Sequence, residues 1–86
     1  MAARVVIYTT PWCGYCVSAK RLLNKRQIAF DEIDVDGDAP ARARLTVATG
    51  SRTVPQIFID GSPVGGCDEL HALDRAGELA RLLQTG

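Results

Sequence analysis

Two cysteines stand two residues apart near the beginning of the chain, in the order Cys13, Gly14, Tyr15 and Cys16. A run typical of a buried strand precedes them, and a run typical of a helix follows. The peptide N–H groups and the dipole at a helix start stabilise a thiolate on the first cysteine. A thiol one turn further on can close a disulfide with the first and open it again. The spacing therefore predicts reversible thiol–disulfide chemistry.

The residues after the pair predict that the two cysteines differ in exposure. From residue 14 to about residue 27 the apolar residues recur at helical spacing, and Cys16 lies on the apolar stripe. Cys13 comes before the first turn. We therefore expect Cys13 to be accessible and Cys16 to be mostly buried.

Two other uses of a close cysteine pair are open at this point. The pair could form a structural disulfide, or it could bind zinc with Cys67 and His71 as a Cys3His site. That second pair has the spacing C-x3-H within one helix start, which is unlike a zinc knuckle. The chain has three cysteines, and an odd number argues against a secreted disulfide framework. Catalysis by Cys13 and Cys16 is the interpretation that we favour.

The composition excludes several classes of partner. The chain has 86 residues, enough for one small domain over residues 1–86, and its 10 basic and 10 acidic side chains cancel. A neutral chain gives no electrostatic footprint for nucleic acid or an anionic membrane. No apolar run approaches the ~20 residues of a membrane span, and no signal-peptide core is present at the N-terminus. We expect a cytoplasmic chain with neither nucleic-acid nor membrane partners.

Periodicity and turn signals predict the element order β-α-β-α-β-β-α. Strands are expected at residues 5–9, 29–35, 56–59 and 62–64, and helices at 14–27, at 41–49 and from 67 onward. Asp38 and Gly50 are expected to cap the second helix, and Gly77 to break or kink the last. Asp60-Gly61 is a strong hairpin signal. A β-α-β unit with an added hairpin makes a mixed sheet of the α/β class.

Three motifs resemble those of the glutaredoxins. They are the Cys-x-Tyr-Cys centre at 13–16, the run Thr53-Val54-Pro55 before an Ile-Phe-Ile strand, and Gly65-Gly66-Cys67-Asp68-Glu69-Leu70. The similarity runs from about residue 5 to residue 83 and includes the element order. The chain resembles a dithiol glutaredoxin of the short bacterial type. That resemblance implies a thioredoxin-like fold, with a four-stranded mixed sheet flanked by helices.

The resemblance also implies an activity, a co-substrate and a set of site residues. It implies a glutathione-dependent thiol–disulfide oxidoreductase that reduces protein–glutathione mixed disulfides and protein disulfides, with Cys13 and Cys16 as the catalytic residues. The Val54–Pro55 bond is expected to be cis and to face Cys13. The residues expected to bind glutathione are Tyr15, Arg42, Thr53, Val54, Pro55, Gly66, Cys67 and Asp68.

Two departures from the family pattern suggest alternatives. Thr10 stands where family members often carry Lys, and Gly14 stands where Pro is commonest. Glutaredoxins with a small residue at the second position include members that hold a [2Fe–2S] cluster between two subunits. The alternative is thus a dimer that binds a cluster through Cys13 of each chain and two glutathiones, no other metal being expected. The active-site run also resembles that of mycoredoxins, which use mycothiol.

The resemblance names the expected partners as well. They are glutathione and glutathionylated or disulfide-bonded proteins, with ribonucleotide reductase among the candidates. We expect a monomer, and a dimer only around a cluster.

Overall fold

This computed structural model describes residues 3–83 of the chain. They contain four strands and four helices, joined by turns and loops. The strands are β1 (Val5–Thr9), β2 (Asp31–Asp34), β3 (Gln56–Ile59) and β4 (Ser62–Gly65). The helices are α1 (Gly14–Lys25), α2 (Ala39–Thr49), α3 (Cys67–Arg75) and α4 (Glu78–Leu83). None of these helices is long and apolar enough to cross a lipid bilayer.

The strands form one mixed sheet in the order β2-β1-β3-β4. Strand β1 runs parallel to β2 and antiparallel to β3, and β3 pairs with β4 as a hairpin. Asp60 and Gly61 form the hairpin turn with φ of 52° and 81°, the positive values that a two-residue turn of this kind requires. The predicted parallel pair with an added hairpin is confirmed.

The last predicted helix is two helices. Helix α3 ends at Arg75 and α4 begins at Glu78, with Gly77 between them at a φ of 75°. Glycine adopts this left-handed conformation at little cost, so the chain turns there. The predicted break at Gly77 is confirmed, and it adds one element to the predicted order.

Strand β2 is shorter and more exposed than the alternation over residues 29–35 predicts. All four of its residues are exposed, and Ile33 has 42% of its surface accessible. The reason is its place at the edge of the sheet, where three acidic side chains protect the open strand from pairing with another chain. Val35, directly after the strand, is fully buried as predicted.

The core lies between the sheet and α1 and α3. Ile7 and Ile57 from the central strands pack in one cluster with Leu23 of α1 and Leu70 of α3. All four are fully buried, and each such side chain contributes about 1.5–3 kcal/mol of transfer free energy. Because α1 and α3 share this cluster, their positions relative to the sheet are fixed together.

The start of α2 offers a test of the fold. The Asp38 carboxylate accepts a hydrogen bond from the Ala41 N–H at 3.1 Å, as the predicted cap should. We expect Asp38→Ala to cost about 0.5–2 kcal/mol of unfolding free energy and to lower Tm by about 4–8 °C per kcal/mol. Thermal unfolding followed by circular dichroism measures this.

Asp36→Ala is the matched control, since the Asp36 carboxylate makes no hydrogen bond within residues 3–83. Equal losses of Tm in the two variants would contradict the capping role of Asp38.

Candidate active site

Cys13 is the residue that caps the N-terminus of α1. Its backbone is extended, and its Sγ accepts a hydrogen bond from the Cys16 N–H at 3.3 Å. The first turn of a helix leaves N–H groups without partners, and a side-chain oxygen usually fills this role. A thiolate at Cys13 would receive a charge-assisted hydrogen bond there, in the favourable field of the helix.

The two cysteines differ as predicted. Cys13 is half-buried, whereas Cys16 has 1% of its surface accessible. Burial, and secondly its hydrogen bond with Cys13, raises the pKa of Cys16 to about 11. Both cysteines are free thiols in the structure. Cys13 is therefore the accessible sulfur, and Cys16 is a protonated thiol directly behind it.

The second motif faces Cys13 from across the site. The Val54–Pro55 peptide bond is cis, which confirms the expectation taken from the resemblance. The Cys13 thiol donates to the Val54 carbonyl oxygen at a sulfur–oxygen distance of 3.5 Å. Val54 lies in a loop just before β3, and within residues 3–83 its backbone does not pair with a neighbouring strand of the sheet.

The third motif approaches the second through its glycines. A Cβ at Gly66 would lie 3.2 Å from the Pro55 carbonyl oxygen, and one at Gly65 would lie 2.8 Å from Cγ of Glu69. Gly65 also has a φ of 114°. A side chain at Gly65 would therefore clash with Glu69, and one at Gly66 would press against Pro55.

A cavity of about 610 Å³ lies between these motifs, a volume usual for a small-molecule site. Seven of the eight residues predicted to bind glutathione line it, namely Tyr15, Thr53, Val54, Pro55, Gly66, Cys67 and Asp68. The lining also includes Thr49, Ser51, Gln56, Pro63, Val64, Gly65 and Glu69. We call this cavity the groove.

The start of α3 gives the groove its polar end. The first N–H groups of a helix have no partner inside it, so those of Cys67 and Asp68 can hold a carboxylate. The Asp68 side chain is exposed and can meet an ammonium group. Glu69, which our sequence analysis did not single out, accepts the Gly66 N–H at 3.2 Å. A glutamate at the third position of a helix is the sequence signal for such a contact.

Arg42 lies outside the groove. Its Nη2 donates to the Arg52 carbonyl oxygen at 3.1 Å, which fastens the loop at 51–54 to α2. Gln56, which sequence reasoning also missed, fastens the same loop from β3 through a hydrogen bond to the Thr53 carbonyl oxygen at 2.9 Å. The sequence signal for this role of Gln56 is that it is the single polar residue in an otherwise apolar strand.

A smaller cavity of about 400 Å³ is lined by Cys16, Lys20 and Glu32, among other residues. One Glu32 carboxylate oxygen accepts both the Thr9 hydroxyl at 2.7 Å and the Lys20 ammonium at 2.9 Å. The Thr9 hydrogen bond first, and Lys20 second, lower the pKa of Glu32. The positive charge of Lys20 also offsets part of the effect of burial on the pKa of Cys16.

The zinc alternative finds no site in the described chain. The His71 Nε2 lies 3.2 Å from the Ser18 hydroxyl oxygen, where it joins α3 to α1. Between residues 3 and 83, no group of three or more His, Cys, Asp or Glu side chains is arranged to hold a metal ion.

Sequence comparison identifies relatives of this chain. The sequence model of the Glutaredoxin family matches residues 5–64, which is more than half of the chain. A protein of Pseudomonas aeruginosa described as glutaredoxin is 57% identical over 81 residues, which are 94% of this chain and 96% of that protein.

Solved structures of similar fold point to the same family. The crystal structure of the holo form of glutaredoxin C1 from Populus tremula x tremuloides matches with a TM-score of 0.89 and 34% identity, over 95% of this chain and 84% of that one. The buckwheat glutaredoxin–glutathione complex matches with a TM-score of 0.87 and 33% identity, over 94% of this chain and 76% of that one. With its C-x-x-C pair at the head of α1, this chain belongs to the glutaredoxin family of thiol–disulfide oxidoreductases.

Proposed function

We propose that this glutaredoxin uses glutathione to reduce protein–glutathione mixed disulfides and protein disulfides. The observation that carries the proposal is the groove beside Cys13, which extends from the loop backbone at Val54 to the polar end of α3. Glutathione is a tripeptide with a zwitterionic γ-glutamyl end, and this groove has complementary groups along its length. The buckwheat relative, described as a glutathione complex, supports the same ligand.

The γ-glutamyl and cysteinyl parts of glutathione have partners in this arrangement. The γ-glutamyl carboxylate takes the N–H groups of Cys67 and Asp68, and the Asp68 carboxylate takes the ammonium. The cysteinyl backbone pairs with Val54 as an added strand would. Pro55 and Gly66 line the groove, and Thr53 and the exposed ring of Tyr15 border the ligand.

Arg42 remains a prediction as the partner of the glycyl carboxylate. In the structure its guanidinium is hydrogen-bonded to the Arg52 carbonyl oxygen, which favours a role in holding the loop at 51–54. Thr10 stands where family members often carry Lys. Because threonine is uncharged, this position supplies no cation for the glycyl carboxylate.

A single thiol suffices for the first reaction. The Cys13 thiolate attacks the glutathionyl sulfur of a mixed disulfide, and the protein thiolate leaves and takes a proton from water. The enzyme is then glutathionylated on Cys13. A second glutathione thiolate attacks that glutathionyl sulfur, which releases glutathione disulfide and restores the Cys13 thiolate.

The second reaction needs both cysteines. Cys13 attacks a protein disulfide and is joined to one of its sulfurs. Cys16 loses its proton and attacks the Cys13 sulfur, which expels the protein thiol and forms the Cys13–Cys16 disulfide. Two glutathiones then reduce that disulfide and leave as glutathione disulfide. Ribonucleotide reductase is a candidate substrate of this route, and a reducing compartment such as the cytoplasm suits a free dithiol.

Gly14 favours one alternative function. A Cβ at this position would meet nothing within 4 Å, so the surface beside Cys13 is open to a second subunit. A [2Fe–2S] cluster takes four thiolates, and Cys13 of each chain with two glutathiones would supply them. Of this chain's own side chains, only the half-buried Cys13 thiol would have to bind the cluster.

The cluster alternative has a direct test. Protein incubated anaerobically with iron, sulfide and glutathione should become coloured and dimeric if it binds a cluster. Cys13→Ser should then stay colourless, and Gly14→Pro, the commonest family residue, should hold less. A colourless wild-type monomer would remove this alternative.

The proposed reactions predict different effects of removing each cysteine. Cys16→Ser should keep its activity on a small glutathione mixed disulfide within about twofold, because only Cys13 reacts. Its reduction of a protein disulfide should fall by about a hundredfold or more, because no second thiol of the enzyme expels the substrate thiol. NADPH consumption coupled through glutathione reductase measures both activities. Loss of both in Cys16→Ser would contradict the assignment.

The raised pKa of Cys16 predicts how its alkylation depends on pH. A thiol reacts as thiolate, and a pKa of about 11 leaves about one thiolate in a thousand near pH 8. Burial, the largest cause of the raised pKa, remains in a Cys13→Ser, Cys67→Ser variant, so its iodoacetamide rate should be low near pH 8 and should still rise with pH above about pH 9.

Cys16→Ser, Cys67→Ser is the matched variant with Cys13 as sole thiol, and it should react faster near pH 8 because Cys13 is accessible whereas Cys16 is buried. Equal rates for the two folded variants, or a flat profile for Cys16, would show that Cys16 is not the protected thiol. In denaturant the two should react alike.

A further inference from the structure

Gln56 is a buried amide where the strand pattern calls for an apolar side chain. It is the first residue of β3, it has 3% of its surface accessible, and Ile57, Phe58 and Ile59 follow it. A buried amide is costly unless its polar atoms are paired. The contacts of this side chain therefore show what it does in the fold.

Both contacts of the Gln56 amide nitrogen go to one residue. Nε2 donates to the Thr53 carbonyl oxygen at 2.9 Å and lies 3.4 Å from the Thr53 hydroxyl oxygen. That hydroxyl lies 2.8 Å from the Ser51 hydroxyl, whose oxygen also accepts the Thr53 N–H at 3.2 Å. The Gln56 Oε1 takes no hydrogen bond within residues 3–83. The donor end of the amide thus holds the loop.

The loop held in this way forms one wall of the groove. Residues 51–54 have no regular secondary structure, so no strand or helix hydrogen bonds fix them. Thr53 immediately precedes Val54, whose carbonyl faces the Cys13 thiol at 3.5 Å. If a loop becomes ordered only when a ligand binds, its loss of conformational entropy lowers the affinity. A loop that is already ordered before binding avoids this loss.

We propose that Gln56 is a positioning residue that holds residues 51–54 ready for the tripeptide in the groove. The proposal depends on the glutathione-dependent function proposed above. Gln56 also lines the groove, but its amide nitrogen is taken up by Thr53 and it has no hydrogen bond with either reacting sulfur. It therefore acts through the loop on the binding of the glutathionyl group and not on the reactivity of Cys13. Its removal should then raise KM and leave kcat unchanged.

The test compares Gln56→Met, which keeps the length and loses the hydrogen bonds, with Gln27→Met, the same change at an exposed residue. In the coupled assay, KM of Gln56→Met for a small glutathione mixed disulfide should rise about three- to tenfold, as for one lost hydrogen bond. Its kcat and the iodoacetamide rate of Cys13 should stay within about twofold of wild type. Gln27→Met should match wild type throughout.

Gln56→Glu is a second variant, which keeps the shape and the acceptor and loses the donor at neutral pH. Its KM should rise at least as much. An unchanged KM in both variants would overturn the proposal, even with a lower Tm, because the role would then be purely structural. A parallel fall of kcat and of Cys13 alkylation would also overturn it. No turnover by wild type would instead contradict the proposed function.

Discussion

The hydrogen bond from the Cys16 N–H to the Cys13 sulfur, at 3.3 Å, is the contact on which the site depends. It places a nucleophilic atom at the position where a helix otherwise takes an oxygen cap. For this to happen, β1 must end at Thr9 and α1 must begin at Gly14, with only a short connection between them. The core beneath α1 then fixes where that sulfur lies relative to the sheet.

The rest of the site is built against the same sulfur. Val54 lies opposite it, and Gly66 allows the start of α3 to approach the Pro55 carbonyl oxygen closely. The Cys13 sulfur at the head of α1 and the polar start of α3 are held in place by one shared cluster of buried side chains. Ligand binding and sulfur chemistry are therefore supported by one set of buried contacts.

Burial also separates the roles of two chemically identical thiols. Cys16 is protonated because it lies on the buried stripe of α1, which raises its pKa. Lys20, one turn further along, is held by Glu32 and moderates that effect. An accessible first thiol and a protected second thiol follow from helix geometry, and no additional catalytic base is required for that difference.

Much of this could be predicted from the sequence because it depends on local patterns. The strand and helix order, the cap at Asp38, the hairpin at Asp60 and the contrast between the cysteines each follow from spacing within a few residues. The resemblance supplied the cis bond before Pro55 and half of the residues that line the groove.

What the sequence did not show depends on single side chains that meet across the fold. The contact of Gln56 with Thr53 and that of Arg42 with Arg52 are set by where a loop passes, and no periodicity encodes them. The exposure of Ile33 likewise depends on β2 being an edge strand, because alternation alone implies a covered face.

The most direct test of the central claim is to locate the covalent intermediate. Reduced Cys16→Ser protein is mixed with glutathione disulfide, quenched with acid and digested, and the peptides are analysed by mass spectrometry. The account predicts one glutathione per chain, joined to Cys13 and released by dithiothreitol. Glutathione joined to Cys67 instead, or no adduct at all, would contradict it.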